Sequence, residues 1–272
     1  MELAFGSVEE AILRDAWEPE HMLLTFRAMC RAVQRIHCLE IVHRDLKPGN
    51  FLVKGDGSVC LSDFGTARKL NETERPLSAV YSWPVGDMRY SAPEVLVGLH
   101  DVDPQIQYRA DIYALGAILF ELFAGVPLSQ VAMNPATMND LRAHIQAIPA
   151  KDRLRIYQGI LGSLAAANAL PSVAAGGASV PPVLRVHIDR LYRGLAAWDF
   201  RRRPYADISH LGQLGRNASW GIGPLSPHEW NAIFAAINGC ILVYRNDQRQ
   251  SAWAASKDRR RQACSNRHGG DQ

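Results

Sequence analysis

The stretch that decides the fold is His43-Arg44-Asp45-Leu46-Lys47-Pro48-Gly49-Asn50. It follows residues 20–38, whose apolar side chains recur with the period of an α-helix. Two short apolar runs come next, Phe51 to Val53 and Val59 to Leu61, separated by Lys54-Gly55-Asp56-Gly57-Ser58. Glycine and aspartate between two such runs are typical of a hairpin turn. We therefore predict a helix, a polar loop and a β-hairpin, in that order.

Two short motifs follow the hairpin, Asp63-Phe64-Gly65 and Ala92-Pro93-Glu94. Each alone is weak evidence, because an aspartate in a turn often only caps the local backbone. In this order, and after the eight-residue stretch, they resemble three parts of the eukaryotic-type serine/threonine protein kinases. Those parts are the catalytic loop, the metal-binding loop and the end of the activation segment.

This resemblance implies a catalytic set. Asp45 would accept the proton of a substrate hydroxyl, and Lys47 would place a positive charge near the phosphoryl group in transfer. The cofactors implied are ATP and Mg²⁺, with Asn50 and Asp63 as the hard oxygen ligands that magnesium prefers. In the family, lysine at position 47 accompanies transfer to serine or threonine of a protein substrate.

The first residues resemble the hinge that joins the two lobes of a kinase. The backbones of Glu2 and Ala4 would face the adenine edge, and Leu52 would form the floor of the adenine pocket. No glycine-rich loop and no Val-Ala-Ile-Lys-like strand occurs in the 272 residues. We therefore expect a mainly α (α+β) fold, a kinase-like C-lobe with a short active-site hairpin and with the N-lobe absent. Such a chain would be a weak or inactive kinase without an N-lobe.

The resemblance also implies two supporting contacts. Asp111, in Asp111-Ile112-Tyr113-Ala114-Leu115-Gly116, would brace the backbone of the catalytic loop. Arg203, in Trp198-Asp199-Phe200-Arg201-Arg202-Arg203-Pro204, would form a buried pair with Glu94. One residue departs from the pattern, because Asp87 stands where the family usually has threonine. An additional negative charge there would disturb substrate positioning.

Composition limits the other functions. The chain has 47% hydrophobic and 21% charged residues, which excludes a disordered chain. Its net charge of +3 arises in residues 245–272, so the charge does not support a nucleic-acid partner for the whole protein. Five cysteines without paired spacing, together with the absence of a long apolar segment, predict a soluble cytoplasmic protein with no membrane span.

The predicted organisation has two parts. Residues 1–216 would form a partial kinase domain, with an insertion at about 128–182 that ends in a linker or mobile loop at 171–182. Helices are expected at 205–214 and from Pro227 onward. Residues 217–272 would be a basic extension, with a strand at Ile241 to Tyr244 and disorder beyond about residue 245.

Three functions fit these observations. The first is a protein serine/threonine kinase whose N-lobe is supplied by a separate protein or is missing from the gene model. The second is a pseudokinase or truncated kinase that binds a regulatory or other protein partner. The third is a fragment with no function of its own. The intact set at Asp45, Lys47, Asn50 and Asp63 favours the enzyme.

Overall fold

The computed structural model describes residues 6–13, 17–70, 85–177, 180–204 and 223–268. Helices dominate this part of the chain, as the sequence predicts. They are α1 Val8–Leu13, α2 Pro19–Cys38, α3 Pro93–Leu96, α4 Ile106–Ala124, α5 Leu128–Ala132, α6 Pro135–Ala147, α7 Ala150–Ala167, α8 Pro182–Leu195 and α9 Pro227–His268. The strands are β1 Gly6–Ser7, β2 Ile41–Val42, β3 Phe51–Val53, β4 Val59–Leu61 and β5 Arg68–Lys69.

Helix α4 is the central element. Most of its residues are apolar, and every residue except Ala110 is buried, as expected for a helix inside a core. It packs on α2 and α8. A side chain at Gly116 would run into the backbone nitrogen of Ala196, so this glycine permits the close approach of α8. Gly125 ends the helix in the left-handed conformation, with φ of 73°.

The strands form two small antiparallel sheets. Strands β3 and β4 form the predicted hairpin, with Phe51 opposite Leu61, and β1 extends it along β3. Strand β2 pairs with β5, so that Val42 lies opposite Arg68. Residues 43–50 connect β2 to β3. The catalytic-loop stretch is therefore fixed at both ends by sheet hydrogen bonds.

Residues 171–177 and 180–182, expected to belong to a linker or mobile loop, pack against the lobe instead. Val173 and Val180 are buried, and the Val173 amide donates to Asp189 Oδ1 on α8 at 2.8 Å. A turn of 3₁₀ helix at Val173–Gly176 contacts α4, where Gly176 lies against the backbone of Ala124. Small residues permit this close packing, and the same composition suggested mobility in the sequence.

Helix α9 corrects two further predictions. Ile241 to Tyr244 are helical, and the helix continues past residue 245 to His268. One face of α9 packs on α2 and α8, and its buried residues are Trp230, Ala232, Ile233, Ile237, Cys240, Ile241 and Tyr244. Trp230, Ile233, Ile237, Ile241 and Tyr244 recur every three or four residues, so the apolar residues at 241–244 extend an existing helical face. Residues 245–268 are mostly polar and are rich in Ala, Arg and Gln, which favour helices.

The expected helix at 205–214 lies outside the described residues. In the described parts of the chain, none of the helices combines the length and hydropathy needed to cross a bilayer.

Candidate active site

Asp111 on α4 holds the catalytic loop by its backbone, as predicted. Its carboxylate accepts hydrogen bonds from the amides of His43 at 2.8 Å and Arg44 at 3.0 Å. His37 Nε2 lies 3.0 Å from Asp111 Oδ2, and both side chains are almost fully buried. The sequence did not single out His37, since its only signal is a place on the buried face of α2. The position of the loop is thus set by a helix in the core.

The loop is also joined to the segment around Asp63-Phe64-Gly65. His43 Nε2 lies 3.0 Å from the carbonyl oxygen of Ser62, and its ring contacts the ring of Phe64 at 5.1 Å. Thr66 Oγ1 donates to the carbonyl of His43 at 3.0 Å, and Arg44 Nε donates to the carbonyl of Thr66. These contacts place the two predicted loops side by side.

Asp45 lies at the centre of a fixed set of donors and is 9% exposed. Its Oδ1 accepts the Asp87 amide at 2.7 Å, and its Oδ2 lies 3.0 Å from Lys47 Nζ. Asn50 Nδ2 donates to the Asp45 carbonyl at 2.8 Å and reaches Oδ2 at 3.3 Å. The hydrogen bond that Lys47 donates to the Asp45 carboxylate raises the pKa of Lys47, so the lysine is held in its charged form.

Asp87 contacts Asp45 through its backbone, and its carboxylate forms a two-point pair with Arg89. Partial burial acts to raise the pKa of Asp87, but the hydrogen bonds from Arg89 outweigh it and the pKa is lowered. The preceding Gly86 has φ of 98°, and a side chain there would run into the carbonyl of Arg44. The turn at 86–87 therefore requires glycine to bring the Asp87 amide to Asp45.

The two predicted metal ligands, Asn50 and Asp63, differ in burial. Asn50 is buried beside Asp45 with its amide nitrogen engaged, which leaves Oδ1 as a possible ligand. Asp63 is exposed in a left-handed conformation with φ of 59°, and its charge contributes to the raised pKa of Lys47. Two hard oxygen donors beside an open face fit Mg²⁺, which usually keeps water and phosphate ligands as well.

Other donors do not complete a metal site. Within the described residues, no group of three or more His, Cys, Asp and Glu side chains could hold a metal ion. Leu52 is half-buried on β3, opposite Cys60. Glu2 and Ala4 lie outside the described residues. The structure therefore brings together Asp45, Lys47 and Asn50, with Asp63 and Leu52 on neighbouring segments.

The predicted pair of Glu94 and Arg203 is present and fully buried. The guanidinium makes two contacts with the carboxylate, at 2.5 and 3.1 Å, and neither side chain is exposed. Arg203 Nη1 also donates to the carbonyl of Arg109, and Arg109 Nη1 donates to the carbonyl of Arg203. Arg109 reaches Glu229 of α9 at 3.2 Å, a link that the sequence did not reveal. Glu94 thus pairs with Arg203, and Arg203 is linked through Arg109 of α4 to Glu229 of α9.

Parts of several known proteins are similar in amino-acid sequence to part of this chain. The chain is 41% identical over 103 residues to the serine/threonine-protein kinase PKH2 of Saccharomyces cerevisiae, covering 35% of this chain and 9% of that protein. It is 36% identical over 124 residues to the serine/threonine-protein kinase PknJ of Mycobacterium tuberculosis, covering 44% of this chain and 20% of the relative. It is 35% identical over 120 residues to serine/threonine-protein kinase 10 of Danio rerio, covering 43% of this chain and 12% of that protein.

These matches span at most a fifth of the length of those three relatives. The family model for the protein kinase domain matches residues 1–176, which include the catalytic loop, the Asp-Phe-Gly segment and Glu94. That match covers more than half of the chain, and it agrees with the bracing of the catalytic-loop backbone at His43 and Arg44 by Asp111. The chain belongs to the protein kinase domain family.

Proposed function

We propose that this chain is a catalytic lobe that transfers the γ-phosphoryl group of ATP to a serine or threonine hydroxyl of a protein, with Asp45 as the base and at a low rate without an N-lobe. The observation that carries the proposal is the Asp45 carboxylate, held by the Asp87 amide and by Lys47 Nζ. A base fixed in this way needs little rearrangement to receive a proton from a bound hydroxyl.

Each side chain has a separate task in this mechanism. Asp45 orients the attacking hydroxyl and accepts its proton as the new bond to phosphorus forms. Lys47, kept charged by its carboxylate neighbour, stabilises the negative charge on the moving phosphoryl group. Asn50 and Asp63 would hold Mg²⁺, which supplies positive charge to the phosphate oxygens when bound.

The test is phosphotransfer from radiolabelled ATP with Mg²⁺ to a mixture of serine- and threonine-containing peptides. Asp45→Asn keeps the size of the side chain but cannot accept the proton. We expect it to lower the rate by about 10²- to 10⁴-fold, the usual contribution of a general base. Asp56→Asn is the matched control, because Asp56 is exposed at the tip of the hairpin and caps only Ser58.

A wild-type rate in the Asp45→Asn variant contradicts the role of this residue. A chain that transfers no phosphate to any peptide contradicts the proposed activity and favours the protein-binding alternative. Melting temperatures equal to that of the wild type in both variants would show that a lower rate does not result from unfolding.

A further inference from the structure

The first turn of α9 contacts the groups that support both loops of the candidate site, although it lies far from those loops along the chain. Trp230 is 2% exposed, and the centroid of its ring lies 6.0 Å from that of His37. The preceding residue, Glu229, places Oε1 3.2 Å from Nη1 of Arg109. We call Glu229 and Trp230 the α9 clamp. These two consecutive residues meet two different supports of the site.

Trp230 packs against the ring that contacts Asp111. The His37 ring has two aromatic neighbours, because Tyr108 meets it edge-on at 5.0 Å and Trp230 meets it at an angle of 59°. In this position His37 Nε2 lies 3.0 Å from Asp111 Oδ2, and the same oxygen accepts the His43 amide. A closely packed interior leaves a ring little room to turn, so the aromatic contacts fix the imidazole against Asp111. Removal of the Trp230 ring would open space beside His37 and loosen this support.

Glu229 joins the start of α9 to the buried pair of Glu94 and Arg203. Its Oε2 accepts the Ser226 amide at 2.7 Å, and the Ser226 hydroxyl accepts the Glu229 amide at 3.3 Å, which is a capping box. The other oxygen contacts Arg109, whose guanidinium donates to the carbonyl of Arg203. Arg203 in turn holds Glu94. The helix start therefore fixes a carboxylate that orients the cation next to this pair.

The middle of α9 packs on the lobe at a different place. Ile237 is fully buried and belongs to the same hydrophobic cluster as Trp230, but it lies about 10 Å further along the helix. Its neighbour Asn238 accepts a hydrogen bond from Arg27 at 2.7 Å, so this part of α9 faces the middle of α2. His37 lies at the end of α2. A smaller side chain at Ile237 should therefore weaken the packing of α9 without reaching His37.

We propose that Glu229 and Trp230 are positioning residues for Asp45. Trp230 acts through Asp111 on the backbone of the catalytic loop, and Glu229 acts through Arg109 on the pair that anchors α3. The C-terminal helix is then a working part of the catalytic lobe. This inference rests on the proposed function for its effect on phosphotransfer, but the restraint of the catalytic-loop amides can be measured without any reaction.

The first experiment measures amide hydrogen exchange by NMR in the full chain without ATP. The Leu119 amide in the middle of α4 is the internal reference, because global unfolding exposes all buried amides together. In Trp230→Met we expect the amides of His43 and Arg44 to exchange about tenfold faster relative to Leu119. Trp230→Phe keeps an aromatic ring beside the imidazole and should stay within about threefold of the wild-type ratio. Ile237→Ala is the matched control and should leave the ratio unchanged.

The second experiment measures phosphotransfer kinetics at a temperature where each variant is folded. Trp230→Met and Glu229→Gln should each lower kcat about tenfold and leave KM for ATP within about twofold, because the clamp acts on the alignment of the base. Glutamine at position 229 keeps the capping box but removes the charge beside Arg109. Glu20→Gln is the matched control, since it removes a carboxylate that pairs with Arg245 further along α9, and it should keep the wild-type kcat.

An unchanged exchange ratio in Trp230→Met overturns the inference, as does an equal rise of the ratio in Ile237→Ala. Should Trp230→Met fail to fold, Glu229→Gln decides instead, because it leaves the apolar packing of α9 intact. The Leu96 amide on α3 should then exchange about threefold faster relative to Leu119, and an unchanged ratio overturns the inference.

The two experiments together separate the clamp from the proposed activity. If the exchange ratios rise as expected but the wild type phosphorylates no peptide, the restraint by the clamp stands and the proposed phosphotransfer fails. If peptides are phosphorylated and both clamp variants keep the wild-type kcat, the phosphotransfer stands and the positioning role is overturned.

Discussion

Two buried carboxylates in this lobe are satisfied by different kinds of partner. Asp111 accepts two backbone amides, those of His43 and Arg44, and contacts the ring of His37. Glu94 is paired with the guanidinium of Arg203, and both of these side chains are fully buried. Asp111 therefore fixes the backbone next to Asp45, whereas Glu94 joins two segments that lie 109 residues apart in the chain.

The comparison separates a contact that shapes the active site from one that holds the fold together. Loss of an amide acceptor lets a loop move, because backbone donors can turn toward water at modest cost. Loss of one partner in a buried ion pair leaves the other charge without compensation, which is costly wherever it lies. Stability and activity should therefore respond differently at the two sites.

The largest effect on stability is expected for Arg203→Met. The change leaves the Glu94 carboxylate buried without a cation and removes the hydrogen bonds to the carbonyls of Ala197 and Arg109. We expect a loss of about 3–5 kcal/mol in the free energy of unfolding, measured by urea denaturation. Arg202→Met is the control, because Arg202 is exposed in the adjacent position.

The double variant Glu94→Met with Arg203→Met sharpens this test. Removal of both charges should recover part of the stability, since a buried pair can often be replaced by apolar residues. A double variant less stable than Arg203→Met would show that the pair contributes more than mutual neutralisation.

The second prediction concerns Asp111→Asn. Asparagine keeps one oxygen acceptor but presents an NH₂ group to donors that need an acceptor. We expect the free energy of unfolding to fall by about 1.5–3 kcal/mol, the range for hydrogen bonds to a charged group. The activity, if the proposed phosphotransfer is correct, should fall more than that of Arg203→Met at a temperature where both variants are folded.

The measurement pairs urea denaturation with phosphotransfer, and Asp140→Asn on the exposed face of α6 is the control. An Asp111→Asn variant that loses stability but keeps its full rate would remove the distinction between the two carboxylates.

The smallest effect is expected at a third buried carboxylate, which has a neutral partner. Tyr90 Oη donates to Glu121 Oε2 at 2.7 Å. Burial raises the pKa of Glu121 above its usual 4.5, and the Tyr90 hydrogen bond opposes that rise. Because the folded state then binds the proton more tightly, stability falls as pH rises from about 4.5 through the raised pKa.

Tyr90→Phe removes the opposing hydrogen bond. The pKa of Glu121 should rise further, and the loss of stability should extend to higher pH, by about 1–2 kcal/mol near pH 7. Thermal unfolding between pH 4 and 8 measures the change, and Tyr90→Phe should match the wild type at the acidic end. A constant difference across this range would mean that Glu121 does not titrate with folding.

Much of the active site follows from local sequence. The hairpin bounds, the bracing by Asp111 and the pairing of Glu94 with Arg203 were all predicted. These predictions worked because the resemblance rests on a continuous string and ordered motifs, in which each residue carries a defined contact. The site residues themselves remain predictions that the mutants above will test.

Other features could not be read from the sequence. His37 and Glu229 are ordinary helix residues until folding places them beside Asp111 and Arg109, 74 and 120 positions away. The composition of residues 171–182 suggested mobility, yet Gly176 packs directly against the backbone of Ala124 at the end of α4. Composition alone does not distinguish a flexible chain from a closely packed one.

The sequence by itself determined the order of the catalytic elements and the chemistry that their side chains can perform, because charge, hydrogen-bonding capacity and turn preference are local properties. Only the tertiary structure decided that the Asp87 carboxylate binds Arg89 while its amide binds Asp45. It also decided that α9 continues as a helix past residue 245. These outcomes depend on which distant surfaces meet when apolar area is buried, and that choice is made by the whole chain.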